Sequence, residues 1–217
     1  MSNQELLPLV VIGGGGHAGV LVDILRLQQR EILAIVSPED ISQRGVFYDI
    51  SHLKNDDDVL MFSTERVRLV NGIGMLPRSG LKRKLNDYFL SLGYQFETIV
   101  SDVAQVSPFA VLEQGVQVFP GAIIQAGTVI EAHSIINSGV IVEHDCRVGQ
   151  YNHIAPRATL CGQVTTLNDV YIGASATIIQ NIMLEQHSIV AAGAIVTQNI
   201  SSGQICYPSR AVIKNAI

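Results

Sequence analysis

The 217-residue sequence has no tryptophan, only three cysteines and few charges, with 15% Asp, Glu, Lys and Arg against 47% hydrophobic residues. Cys146, Cys161 and Cys206 are odd in number, and none stands in a CxxC pair or at Cys/His metal spacing. A disulfide framework and a zinc knuckle are both excluded, and reduced thiols of a cytoplasmic protein are expected. Fourteen basic residues against nineteen acidic ones leave a net charge of −5. That excludes the concentrated Lys and Arg of a nucleic-acid or anionic-membrane surface, but not a local pocket for a small phosphorylated ligand. No apolar run approaches the roughly 20 residues of a membrane helix. The start, MSNQELLPLVVIGGGGHAG, lacks the basic opening and long apolar stretch of a signal peptide. One compact soluble domain or two small ones is the expectation.

What is present falls into two rhythms, residues 1–99 and 100–217. In the first, Leu9–Ile12 reads as a buried strand that runs into Gly13–Gly16, and Ala18–Gln28 has the apolar spacing of a helix. Ile32–Val36 is a second strand, stopped by Ser37-Pro38. Val59–Phe62 and Leu69–Ile73 read as further strands, and Ser79–Leu92 as a basic helix ending at Gly93. Strand, helix, strand predicts a small Rossmann-like α/β unit with a parallel sheet.

From Val100 every sixth residue but one is aliphatic: Val100, Val106, Leu112, Val118, Ile124, Ile130, Ile136, Val142, Val148, Ile154, Leu160, then Thr166, the exception, and on through Ile172, Ile178, Leu184, Val190 and Val196. Four residues after each sits a mostly small or β-branched residue, such as Ala104, Ala110, Ala122, Thr128 and Ser134. This is the hexapeptide repeat of a solenoid. Each hexad forms one side of a triangular coil, so a turn takes 18 residues, with the aliphatic and small residues pointing inward. A β-sandwich would show turns every 8–12 residues and no locked period.

Phase sorts the histidines. His144, two places after Val142, and His153, five after Val148, are not inward, so both are expected to project from the prism surface. His144 lies between Glu143 and Asp145, and a neighbouring carboxylate can set an imidazole's tautomer and raise its basicity, as a general base requires. The competing reading is a solvated surface histidine. His133 and His187 sit in corner positions with no chemistry attached. Cys146 takes the small inward slot of its hexad and is expected to be packed and inert. No pair of histidines has the spacing of a β-helix zinc site, so no metal is expected. Gly14 to Gly19 satisfies G-x-G-x-x-G between a strand and a helix, a turn that can bring backbone close to a phosphate or can be merely tight. The second strand lacks an acidic end, which favours a nucleotide or nucleotide-sugar phosphate over NAD.

The segments IGGGGHAGVLVDIL, VNGIG, GYQFETIVSDVAQVSP and INSGVIVEHDCRVGQYNHIAP, in this order, resemble the bacterial sugar O-acyltransferases of the sialic-acid O-acetyltransferase type. That family includes N-acetyltransferases of nucleotide-linked 4-amino-4,6-dideoxy sugars in surface-glycan and O-antigen synthesis. The resemblance implies a left-handed parallel β-helix and a homotrimer with acetyl-CoA as co-substrate. It places Gly15, Gly16 and His17 at the phosphates of a nucleotide-linked amino sugar, and Gly74 near the sugar end. His144 becomes the general base with Asp145 beside it, and His153 meets the thioester region of acetyl-CoA. Gly162, one coil after His144, offers a backbone N–H to the thioester oxygen, and Ala174 and Ala192 line the pantetheine arm in a groove between two subunits. Two departures stand out. Ser37-Pro38 replaces an acidic pair, which puts Ser37 in the substrate-binding set, and Cys206-Tyr207-Pro208-Ser209-Arg210 replaces the usual closing motif. O-acetylation of a sialic acid and a non-catalytic sugar-nucleotide-binding role are the alternatives.

Overall fold

The computed structural model describes residues 6–209. Contacts divide the chain into two compact units, the first running to Asp102 and including Gln114–Gln117, the second comprising Val103–Glu113 and the chain from Val118 onward.

The first unit is built on a parallel sheet of β1 (Leu9–Ile12), β2 (Ile32–Val36), β3 (Ser51–Leu53) and β4 (Arg68–Asn71), in the order β3-β2-β1-β4. All four residues of β1 are buried, as a parallel strand covered on both faces requires. Helix α1 (Gly16–Leu27) buries Ala18, Leu21, Val22, Ile24 and Leu25, and α2 (Leu81–Ser91) contributes Phe89 to a core with Val10, Val36, Leu69, Tyr94 and Phe96. Strand order reverses between β1 and β4, with Ile12 in register with Asn71. The two glycine loops therefore leave the sheet side by side at a topological switch point, where open α/β sheets bind ligands.

One expectation fails here, and one strand has no counterpart in the sequence reading. Val59–Phe62 is not a strand: Asp56–Met61 is a 3-10 helix, opened by a capping box between Asn55 and Asp58. Val59 is buried as a strand residue would be, but the cap satisfies backbone donors locally and wins. The short edge strand β3 has no apolar alternation to announce it.

The second unit is a left-handed parallel β-helix with strands of two residues on three walls. Pairing is locked at one coil: Val129 with Arg147, Ile141 with Thr159, His153 with Tyr171. The inward series is buried from Val118 to Val196. The non-aliphatic member, Thr166, is buried and meets another polar insider, since Asn152 Nδ2 donates to its Oγ1. Asn152 Oδ1 accepts from Val170 N at 2.6 Å, and Asn152 N donates to Ser134 Oγ at 3.0 Å. The break in the series is thus a satisfied polar patch inside the prism. After Val196 the phase slips, for Val190 pairs with Cys206. The closing motif is described only to Ser209; Arg210 lies outside the described residues.

Candidate active site

His144 and Asp145 occupy one corner of the coil, with side chains 59% and 57% exposed, and His144 Nδ1 lies 2.9 Å from Asp145 Oδ2. A carboxylate only accepts, so neutral His144 carries its proton on Nδ1 and keeps a lone pair on Nε2, the arrangement of a general base.

Two glycines one coil away on either side make room for this pair. A Cβ on Gly162 would lie 2.6 Å from His144 Nε2 and 2.7 Å from Cε1, so the ring lies across the bare Cα of the next coil. A Cβ on Gly127 would lie 2.3 Å from Asp145 Oδ1, and Gly127 has φ +78°. The family resemblance implies Gly162, one coil after His144, as a backbone donor, not as the space in which the ring lies. Gly127 went unread, although it stands 18 residues before Asp145.

Of the other acetyl-CoA candidates, Ala174 and Ala192 share a different corner, joined through Gly193 N donating to Ala174 O at 2.9 Å. The corner of His144 and Gly162 and the corner of Ala174 and Ala192 flank the same wall, whose outward residues include Ile123, Ile141, Thr159 and Thr177. His153 departs from expectation. It faces outward in phase but is only 7% exposed, because Asn137 and Tyr171 pack on it. Asn137 Oδ1 accepts from Ser138 N, which turns the amide nitrogen toward His153 Nε2 at 3.2 Å. Cys146 is fully buried, donates to Cys161 O at 3.2 Å, and has its thiol pushed up to about 11 by desolvation. It is no nucleophile at neutral pH. Among the described residues no three His, Cys, Asp or Glu side chains group as a metal site, and no helix is long and apolar enough to cross a membrane.

In the first unit the glycines divide by what surrounds them. A Cβ on Gly14 would meet Ser37 Cβ and Oγ at 2.9 Å, and one on Gly72 would meet Ala18 Cβ at 2.7 Å. These are packing glycines, and the first explains how Ser37, 5% exposed, sits against the turn. Ser37 is tied down further by His52 Nε2, which donates to its carbonyl at 2.8 Å. Gly15 and Gly16 have nothing within 4 Å of a Cβ. Gly15 caps α1 without a side-chain bond, and the first turn carries no acid. Backbone donors and the positive end of the helix dipole are therefore open to an anion. Gly74 lies beside His17, a Cβ there coming 3.3 Å from His17 Cβ. His17 Nε2 is 2.8 Å from Gln117 Oε1, and Gln117 Nε2 donates to Asn71 O at 2.8 Å. Lys82, buried at 2% exposure, donates to the same carbonyl at 3.3 Å, and desolvation lowers its pKa to about 7. Asn71, Lys82 and Gln117 went unread in the sequence. Asn71 ends a strand, Lys82 sits in a basic run, and Gln117 occupies an outward hexad position.

The sequence matches no protein-family model. Among solved structures, the chain is similar to PerB from Caulobacter crescentus, in complex with CoA and GDP-perosamine. Identity is 30%, over 96% of this chain and 97% of that one, with a TM-score of 0.83. A histidine-to-asparagine variant of perosamine N-acetyltransferase from Caulobacter crescentus, with the same two ligands, is 28% identical over 96% and 97% of the two chains, TM-score 0.84. The acetyltransferase domain of PglB from Neisseria gonorrhoeae FA1090, in complex with acetyl coenzyme A, shares the fold at 24% identity over 95% and 100%, TM-score 0.84. With 30% identity sustained along nearly the whole of both chains, this chain belongs to the bacterial sugar acyltransferases of the hexapeptide-repeat type.

Proposed function

We propose that the protein transfers the acetyl group of acetyl-CoA to the amine of a nucleotide-linked 4-amino-4,6-dideoxy sugar, and that it does so as a homotrimer. The end-to-end match to an enzyme complexed with CoA and GDP-perosamine carries this reading. The His144–Asp145 pair, with its free Nε2 lone pair, supplies the chemistry the match requires.

In this reading the open N-terminus of α1, at Gly15, Gly16 and His17, receives the diphosphate, with Ser37 and Gly74 around the rest of the acceptor. The sugar amine attacks the thioester carbon while His144 Nε2 takes its proton, and Asp145 stabilises the imidazolium. Collapse of the tetrahedral intermediate breaks the carbon–sulfur bond, and the CoA thiolate recovers the proton from His144. Such proton transfer typically contributes about 10²–10⁴-fold. The backbone N–H of Gly162 is the candidate donor to the oxyanion, and His153, Ala174 and Ala192 are assigned to acetyl-CoA. The trimer is the assembly that the family resemblance implies. In that assembly a heterologous threefold contact would set the His144 corner of one prism against the Ala174 corner of the next, across the wall of Ile123, Ile141, Thr159 and Thr177.

The test is thiol release from acetyl-CoA with GDP-, UDP- and dTDP-linked 4-amino sugars, and with free and CMP-linked sialic acid. Turnover on one nucleotide-linked amino sugar is expected. Turnover confined to sialic acid would move the reaction to O-acetylation, and none with any acceptor would overturn the enzyme reading. Light scattering after size exclusion should give a trimer; a monomer would leave the acetyl-CoA groove without its second wall.

A further inference from the structure

Asn71, the last residue of β4, is buried, and both ends of its side chain are hydrogen-bonded. Its Oδ1 accepts from Ile73 N at 2.9 Å, an Asx turn at the start of the second glycine loop. A backbone N–H only donates, so the amide oxygen is fixed on that side and Nδ2 faces α2. There Nδ2 donates to Lys82 O at 3.2 Å and to Asn86 Oδ1 at 2.6 Å. The carbonyl of Asn71 accepts from Gln117 Nε2 and Lys82 Nζ. The three residues that follow then touch the first glycine loop and α1. A Cβ on Gly72 would lie 2.7 Å from Ala18 Cβ, and one on Gly74 would lie 3.3 Å from His17 Cβ. Ile73 Cδ1 lies 2.6 Å from where a Cβ on Gly13 would stand, and Gly13 has φ +103°. Gly15 and Gly16, which have nothing near them, are therefore bracketed in sequence by contacts at Gly13 and at His17 and Ala18, all made by one loop.

We propose that Asn71 is a positioning residue for the acceptor substrate. Through its bond to Ile73 it holds residues 72–74 as the backing of the Gly15–Gly16 turn, and so fixes where the backbone donors of that turn meet a phosphate. Asn71 itself touches no ligand. Its two bonds to α2 keep the amide from rotating, so the oxygen stays on Ile73 N. The inference rests on the nucleotide-sugar reading for the identity of the ligand, but not for the turn.

The experiment compares three variants. Asn71→Ala removes the turn and both bonds to α2. Asn71→Ser gives up the bonds to α2 but keeps a hydroxyl that can accept from Ile73 N. Asn86→Ala weakens α2 and leaves the turn alone. Amide hydrogen exchange read by NMR should show Ile73 protected in wild type and in Asn71→Ser, and fast in Asn71→Ala. Calorimetry uses GDP, UDP and dTDP as probes. The diphosphate that binds wild type should bind Asn71→Ala roughly tenfold more weakly, the size of one lost hydrogen bond. Asn71→Ser and Asn86→Ala should keep their affinity although their unfolding midpoints fall. In steady state the KM for the nucleotide sugar should follow the same order, with kcat and the KM for acetyl-CoA unchanged. Fast exchange at Ile73 in wild type overturns the proposal, as does a folded Asn71→Ala with wild-type affinity. If Asn71→Ala does not fold, the other two variants decide: weakened diphosphate binding by either means that affinity merely follows stability, and the proposal falls. Diphosphate binding without turnover on any acceptor would sink the functional reading while leaving the role of Asn71 standing.

Discussion

Gly14 and Gly72 of the α/β unit and Gly127 and Gly162 of the β-helix do opposite jobs. In the α/β unit, Gly14 and Gly72 are there because side chains and backbone from other elements already fill the space a Cβ would take. In the β-helix, Gly127 and Gly162 are bare so that Asp145 and His144, one coil away, can lie across them. The first kind closes a fold and the second opens a seat for chemistry. A small residue next to a functional one therefore cannot be sorted by position alone, and only the atom a Cβ would meet tells which kind it is.

The largest effects should come where the coil seats the catalytic pair. His144→Ala is expected to lower kcat by about 10²–10⁴ with thermal unfolding unchanged, because the side chain is solvent-exposed and only the base is lost. Wild-type turnover by that variant would remove His144 from the mechanism. Gly162→Ala tests the seat itself. With a Cβ due 2.6 Å from Nε2, the ring must shift, and a misplacement of about 1 Å can cost about 10²-fold. Steady-state kinetics on both variants, beside circular dichroism, separates loss of the base from loss of its placement.

In the α/β unit the same substitution should split the other way. Gly72→Ala drives a methyl into Ala18 and Ile12, and overpacking of this sort costs about 1–3 kcal/mol. Gly15→Ala meets nothing, so its denaturation midpoint should hold while KM for the nucleotide sugar rises. If Gly15→Ala unfolds the protein and Gly72→Ala does not, the division between packing and binding glycines is wrong.

Periodicity explains why one unit was so much more legible than the other. A locked 18-residue coil turns sequence distance into spatial address, which is how His144 and Gly162 were placed together and Cys146 was sent inside. The same arithmetic failed for His153, because outward phase says where a side chain points and nothing about what covers it. The α/β unit has no such ruler. Its strands were found from apolar runs, but the 3-10 helix at Asp56–Met61 and the edge strand β3 follow from local capping and pairing that no period announces. Lys82 is not singled out within the basic run, yet it is buried with its ammonium on the carbonyl of Asn71. Its neighbours Asn71 and Gln117 are 46 residues apart, and their bond is a product of the fold.

The two units also bury polar groups differently, and stability measurements can tell how well each is satisfied. Thr166→Val would extend the aliphatic series of the β-helix, yet it strips Asn152 Nδ2 of its acceptor. The unsatisfied amide should cost about 1–3 kcal/mol in chemical denaturation. Adding Asn152→Ser should recover most of that loss, because small-slot groups elsewhere satisfy themselves on the carbonyl fifteen residues ahead: Thr128 on Glu143, Ser134 on Gly149, Cys146 on Cys161.

Lys82 gives the gentlest test, a slope against pH. Burial without a facing carboxylate lowers its pKa from 10.5 to about 7, and desolvation is the cause. Between those two values the unfolded chain binds a proton that the folded chain does not, so stability rises with pH across this window. The slope from this group is at most about 1.4 kcal/mol per pH unit. Below about pH 7 both states are protonated, and the cost of the buried ammonium is constant and complete. Lys82→Met keeps the volume and removes the charge. Its stability relative to wild type should climb as pH falls from about 10.5 to about 7 and then level off. A difference that stays flat across that window would mean the ammonium is solvated in the folded protein, and the hydrogen bond to Asn71 would then be a contact of the surface. The polar cluster of the α/β unit would in that case be as comfortable as the Asn152–Thr166 patch, and the contrast between the two interiors would disappear.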